Sequence, residues 1–320
     1  MKAAVYYQNG DPGVLKYETV PDPVCHPKGV VIRVEAISVE GGDILNRWRG
    51  ALTARPHVVG YQAAGEIVEV GAEVADLKIG QKVATCGAAG SHAELRAVAA
   101  SAAWPIPAGF DIRQAAVMPV TFGTADECLF EAGRLAAGET VLVQAGASGV
   151  GVAAIQFAKR AGARVLATAS SDERLERLKA LGMDEGGNYA REDVVEWVMR
   201  LTAGKGVNLV VDPVGGATLQ ASLRALGYRG RVSMVGAAGR EAMRVDVSCL
   251  MGGNRSLRGV FLGAEIGTAR VRANIQRLIE EAARGELKVV IDRAFPLAEA
   301  AAAHAYIESR RAVGRVLLIP

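Results

Sequence analysis

The chain has 320 residues, half of them hydrophobic and 22% charged, with a net charge of only +3 and no long block of like charge. That balance excludes a disordered chain or a coiled coil, and the length exceeds what one small core fills, so two domains are expected. No Lys/Arg cluster interleaves with aromatics as a nucleic-acid surface requires, and no run approaches the roughly 18 apolar residues of a membrane span.

Met1 leads directly into the alternating "KAAVYY", which has neither the apolar core nor the cleavage site of a signal peptide, and the expected location is the cytoplasm. From there to about Pro107 the chain reads as short strands, "VVIRVEAISV", "AAGEIVEVG" and "KVATC", punctuated by Gly, Pro and Asp turns. This is a mostly β lobe. From about Asp111 alanine-rich helical patterns alternate with the apolar runs "VLVQAG", "RVLATAS", "VNLVVDPVGG", "RVSMVGAAG" and "SLRGVFLG", the signature of a parallel sheet covered on both faces. After a helical pattern at 268–285 the ending returns to strand, helix and strand, and these closing strands are candidates to pair with the first lobe. Cys25, Cys86, Cys128 and Cys249 form no CxxC pair and read as free buried thiols. His26, His57, His92 and His304 form no constellation in the sequence and read as structural or solvated.

The stretch at 141–171 carries the chemistry. The strand pattern "ETVLVQ" runs into Gly146-Ala147-Ser148-Gly149-Val150-Gly151 and then a helix. Small residues at such a turn let backbone N–H groups and a helix N-terminus approach a pyrophosphate. A dinucleotide fingerprint places glycine first, third and sixth; here Ser148 takes the third place and Gly149 follows. The alternative is a tight strand-to-helix turn that merely packs small residues.

Which dinucleotide is decided after the next strand. An NAD site places Asp or Glu there to accept from the ribose hydroxyls, whereas this chain offers Ser170, Ser171, Arg174 and, further on, Tyr189. Hydroxyls with a permanently charged guanidinium suit a 2′-phosphate, so NADPH rather than NADH is expected. The alternative gives the ribose to Asp172 and leaves Arg174 as a solvated helix charge.

The segments "GGDILNRWRG", "VVGYQAAGEIVEVGAEV", "LKIGQKVA", "MPVTFGTADECLF", "AGASGVGVAAIQFAK", "VVDPVGG", "GRVSMVG" and "SLRGVFLG" agree in order and spacing with one family. The chain resembles the medium-chain dehydrogenase/reductase superfamily and, within it, the zinc-independent quinone oxidoreductase branch that includes zeta-crystallin. The resemblance implies an α/β architecture of two domains. One is a GroES-like, mostly β catalytic domain formed by 1–118 and 264–320. The other is a Rossmann domain, a doubly wound parallel sheet, over 119–263, with a cleft for nicotinamide and substrate between the two. It also implies that Val214, Val235, Gly236, Ala237, Phe261, Leu262 and Gly263 flank the nicotinamide and that Thr124 lies beneath its ring. Packing at the ends of the sheet is the alternative for each.

Zinc-containing members of the superfamily carry Cys-Gly-x-Asp where this chain reads Glu40-Gly41-Gly42-Asp43, and His-Glu where it reads Tyr61-Gln62. No metal is therefore expected, and without a Lewis acid the natural chemistry is reduction of an electrophilic acceptor. The resemblance thus implies an NADPH-dependent reductase of a small-molecule quinone or an α,β-unsaturated carbonyl. Asp43 and Arg47, one helical turn apart, orient substrate or pin their segment by an internal salt bridge. Tyr61 donates to a substrate oxygen or is simply packed. Related reductases place a Tyr two residues after the glycine matching Gly50, where this chain has Leu52, and that weakens an enoyl-thioester reading. A dinucleotide-binding sensor or structural protein with little turnover is the other alternative. A homodimer through the "SLRGVFL" edge of the Rossmann sheet is expected.

Overall fold

Alternating and near-continuous apolar runs become sixteen strands in the computed structural model, which describes residues 1–320. The first eight are β1 (Lys2–Tyr6), β2 (Lys16–Thr19), β3 (Gly29–Val39), β4 (His57–Val58), β5 (Gln62–Val70), β6 (Lys82–Cys86), β7 (Leu95–Ala99) and β8 (Ala103–Pro105). Six follow as β9 (Thr140–Val143), β10 (Arg164–Ala169), β11 (Glu185–Asn188), β12 (Val207–Asp212), β13 (Leu226–Met234) and β14 (Ser256–Gly259), and β15 (Ile291–Pro296) and β16 (Arg315–Ile319) close the chain. No helix is long and apolar enough to cross a membrane.

The strands divide between two units, Met1–Gly123 with Gly263–Pro320 and, separately, Thr124–Leu262. In the first, a seven-stranded sheet runs β15-β16-β3-β5-β6-β8 with β7 also on β3, and a three-stranded sheet runs β2-β1-β4. β3 is its spine. Val30, Ile32, Val34 and Ile37 on it are almost wholly buried and join Ile67, Val83, Leu297 and Leu318 in one core, each contributing about 1.5–3 kcal/mol relative to exposure. The closing strand β16 lies antiparallel on β3, with Leu317 opposite Ser38 and Val316 opposite Val39.

The second unit is a six-stranded sheet in the order β11-β10-β9-β12-β13-β14, parallel at every pairing. Its switch point lies between β9 and β12, where ligands of doubly wound sheets sit beyond the strand carboxyl ends. Leu142, Leu166, Val210, Leu223 and Trp197 form its core.

Several elements differ from expectation. The first domain boundary falls at 123/124, inside the helix Met118–Asp126, rather than at 118/119. The start of that helix is tied to the β unit, since Val120 N–H donates to Gln62 and Thr121 Oγ1 lies 3.5 Å from Glu40 Oε1. β11 forms from "EGGN", which has no strand character in the sequence. Its glycines are needed for close approach, because a Cβ on Gly187 would stand 2.8 Å from the Trp197 ring. The "SLRGVFL" run stays extended only to Gly259, and Leu262–Glu265 is helical. Cys86 and Cys128 are buried, but Cys25 and Cys249 are half-buried rather than core thiols.

Candidate functional site

Strand β9 delivers the small-residue turn read in the sequence as a candidate phosphate cradle. Val141, Leu142 and Val143 are fully buried, and the chain then turns through Ala145, whose φ of 49° puts an alanine in the left-handed region that usually favours glycine. Gly146 is required by space, since a Cβ there would meet Ala167 Cβ at 2.8 Å. Ser148, in the fingerprint's glycine place, is the N-cap of the helix Gly149–Arg160, and its Oγ accepts from Gly151 N–H at 3.1 Å. The amides of Gly149 and Val150 stand at the helix start, where no carbonyl of their own helix reaches them. Ala147 is buried beneath the turn. Gly151 allows the helix to close on the turn, because its Cβ would stand 2.6 Å from the carbonyl oxygens of Ala145 and Gly146.

A buried hydrogen-bond chain that the sequence reading missed supports this turn. Ala145 N–H donates to Thr168 Oγ1 at 3.2 Å, and Thr168 donates to Gln144 Oε1 at 2.8 Å. Gln144 Nε2 donates to Ser222 at 3.2 Å, and Ser222 donates to Asp212 Oδ2 at 2.8 Å. Asp212 Oδ1 accepts from the amides of Val214 and Gly215 at 2.8 and 2.9 Å. The chain links β10, β9 and β12 across the switch point. Its one trace in the sequence is a polar residue, Gln144 or Asp212, directly after an apolar run, Val141–Val143 or Leu209–Val211.

At the end of β10, Arg174 Nη1 donates to Ser170 Oγ at 2.9 Å, and Ser171 caps the helix Asp172–Lys179. Tyr189, 40% exposed, donates its N–H to Ala169 O at 3.1 Å and so stands beside the same strand end. Ser170, Ser171, Arg174 and Tyr189 therefore gather at one edge. Val235 N–H donates to Asp212 O at 2.9 Å, and a Cβ on Gly236 would lie 2.5 Å from Pro213 O, which holds Val235-Gly236-Ala237 against the Val214 turn. Thr124 is buried, Phe261 is 76% exposed, and Leu262 and Gly263 open the short helix after β14.

In the β unit the residues at the zinc-ligand positions form a buried polar cluster. Glu40 Oε1 accepts from Arg315 Nη2 at 2.6 Å, from Ser38 at 2.7 Å and from Gln62 Nε2 at 3.0 Å. Burial pushes the Glu40 carboxyl up, and the Arg315 guanidinium opposes the shift. Gln62 also donates to Val117 O at 3.2 Å, while its Oε1 accepts from Val120 N–H, so both ends of the amide are engaged. A carboxylate oxygen ringed by a guanidinium and three N–H or O–H donors is a site for negative charge. Zinc wants thiolate, imidazole or carboxylate lone pairs aimed at a cation, and these residues do not fit it.

Asp43, fully buried at the third position of the helix Gly41–Arg49, accepts from Glu40 N–H through Oδ2 at 2.8 Å, and its Oδ1 has no partner. Burial, reinforced by the neighbouring Glu40, pushes its carboxyl up to about 8 against the pull of the Glu40 amide, Arg315 and Arg96. Tyr61 packs against Gly42, where a Cβ would come within 2.7 Å of the phenol oxygen. Its carbonyl accepts from Gly87 N–H at 2.8 Å and Arg96 Nη2 at 2.9 Å. Burial, with the charges of Asp43 and Glu40, raises the phenol well above its usual 10.

Arg47 does not pair with Asp43. Its fully buried guanidinium is bound by Glu308, by Gly10 O and, through Nε, by His304 Nδ1 at 3.2 Å, so it pins the helix to the closing segment. The histidines also depart from expectation, because His92 and His304 are buried with their Nε2 atoms 3.1 Å apart. Arg47 donates to His304 Nδ1, so neutral His304 carries its proton on Nε2 and donates it to His92, whose own proton then faces Ser91 from Nδ1, 3.3 Å away. Burial holds His92 down at about 3, with Arg96 adding, and holds His304 well below the usual range, with His92 and Arg47 adding.

A doubly wound parallel sheet with a capped small-residue turn at its switch point, in one chain with a discontinuous β unit, defines a dinucleotide-dependent oxidoreductase fold. Two family models match, one described as zinc-binding dehydrogenase over residues 149–284 and one as an alcohol dehydrogenase GroES-like domain over 26–108. A quinone oxidoreductase of Pseudomonas aeruginosa is 32% identical over 317 residues, covering 97% of each chain. A 2-haloacrylate reductase of a Burkholderia species is 31% identical, covering 99% of this chain and 98% of the relative. The quinone oxidoreductase of Escherichia coli, solved as a complex with NADPH, superposes with a TM-score of 0.95 at 27% identity over the whole of both chains. The chain belongs to the medium-chain dehydrogenase/reductase superfamily, in its zinc-independent branch of quinone oxidoreductase-like reductases.

Proposed function

We propose that this protein uses NADPH, without a metal, to reduce a small quinone or an α,β-unsaturated carbonyl. The observation that carries the reading is the Ser148-capped turn followed, one strand later, by Ser170 and Ser171 with Arg174. Bound NADPH supplies a hydride at its nicotinamide ring. The Gly149 and Val150 amides and their helix N-terminus would hold the pyrophosphate, and Ser170, Ser171, Arg174 and Tyr189 would hold the 2′-phosphate. Thr124, Val214, Val235-Gly236-Ala237 and Phe261-Leu262-Gly263 would bound the nicotinamide. Tyr61, kept protonated by its raised phenol, donates to the substrate oxygen as negative charge develops there. Asp43, neutral at pH 7 in its buried setting, adds no opposing charge. Two copies associate through the β14 edge.

Steady-state oxidation of NADPH with 9,10-phenanthrenequinone, a panel of enones and a crotonyl thioester tests the reading. Turnover of quinones or enones is expected. Cofactor binding without turnover, or turnover of the thioester alone, refutes it.

A further inference from the structure

Just past the end of β10 stands an acid, Asp172, at the first position of the helix that Ser171 caps. A carboxylate there accepts from ribose hydroxyls and repels a 2′-phosphate, so its presence runs against the cofactor proposed above. The structure resolves the conflict through two neighbours, Asn188 at the end of β11 and Arg191 from the loop after it. Asn188 Nδ2 donates to Asp172 Oδ1 at 2.7 Å, and Arg191 Nη1 pairs with Oδ2. Both carboxylate oxygens are thus engaged. Asn188 is itself fixed, 7% exposed, with its Oδ1 accepting from Ala190 N–H at 3.1 Å. Arg174, meanwhile, donates to Ser170.

We propose that Arg191, held beside Asn188, is a specificity-determining residue that neutralises Asp172 and so lets a 2′-phosphorylated dinucleotide occupy an edge that otherwise favours the unphosphorylated one. The inference rests on the NADPH reading of the same site. Side-chain exposures of 72% for Arg191 and 61% for Asp172 make this a surface pair that contributes little to stability. Its effect is therefore one of local charge. Uncovering one carboxylate within a Debye length of a divalent phosphate corresponds to about a three- to tenfold loss of affinity.

The test compares dissociation constants for NADPH and NADH, by cofactor fluorescence and calorimetry, in the wild type, R191A, D172N and the R191A/D172N double variant, with melting temperatures confirming folding. R191A is expected to lower the preference for NADPH about three- to tenfold, with NADH affinity held or improved. The double variant is expected to regain the wild-type preference, because the charge that Arg191 covered is gone. An unchanged preference in R191A overturns the proposal. So does a loss that D172N fails to rescue, which makes Arg191 a direct phosphate contact instead. A wild type that binds NADH as tightly as NADPH refutes the cofactor reading itself and this inference with it; that result is read from the wild type alone.

Discussion

Acid is the perturbation that bears most directly on the buried pair His92–His304. Both rings are neutral in the fold, and their proton affinities are depressed below the ordinary 6.5, His92 to about 3. A depressed histidine contributes stability that is present above the unfolded value and is lost as pH falls from there toward the folded value. Between pH 7.5 and 5.0 the unfolded chain takes up about one proton per histidine while the folded chain takes up none. The cost is about 2 kcal/mol for each, or about 4 kcal/mol for the pair. The charged groups facing the pair, Arg47 from the helix Gly41–Arg49 and Arg96 from β7, oppose protonation further, and Glu308 is engaged by Arg47. Asp43 works in the opposite sense. Its carboxyl, raised to about 8, favours the fold as pH falls through that value. The wild-type slope therefore mixes two effects, and the difference between wild type and H304Q isolates the pair. Urea unfolding followed by tryptophan fluorescence at pH 7.5 and 5.0 is expected to show H304Q losing about 2 kcal/mol less than wild type over this interval. Equal losses in the two proteins would refute the assignment of neutral, buried rings.

Glu40→Ala leaves the Arg315 guanidinium buried without its carboxylate, and a destabilisation of about 3–5 kcal/mol is expected by denaturant titration; an E40A/R315M variant should recover most of it. Gly151→Val drives side-chain atoms against the Ala145 and Gly146 carbonyls, and calorimetry should show NADPH affinity falling about tenfold or more. Tyr61→Phe should lower kcat roughly 10- to 100-fold with NADPH affinity unchanged, and an unaltered kcat would remove the phenol from the reaction.

The strand–turn–helix at 140–160 and the two-lobe architecture were legible because both rest on local patterns. "VLVQAGASGVG" states a buried strand, a turn and a helix start within one short window, and "ATASS" shows the missing acid at its end. What stayed hidden depends on side chains meeting across long separations. Glu40 with Arg315, and His92 with His304, 212 positions apart, meet only because β16 and the helix Ala300–Glu308 return to the first unit. Periodicity says that such segments exist and is silent on which polar tips they bring together. Arg47 illustrates the limit: its helical spacing to Asp43 suggests a pair, yet Glu308 and His304 win it from the far end of the chain. Asp172 is a subtler case, since the sequence leaves it open as an alternative ribose acceptor and only the structure shows Asn188 and Arg191 engaging both its oxygens. Ala145 also broke a local rule, taking a left-handed turn conformation that composition assigns to glycine.

The return of the closing segment also sets an order of events during synthesis. Residues 124–262 form a continuous unit, complete once the ribosome has released them, whereas the β unit contains Glu40, Arg47 and His92 hundreds of residues before Arg315, Glu308 and His304 are made. Until then its buried charges lack their partners, and a nascent chain ending near residue 298 is expected to present a protease-resistant Rossmann unit with a protease-sensitive β unit. Strand β16 and the helix Ala300–Glu308 are thus expected to be what lets residues 1–123 become stable, long after they are made.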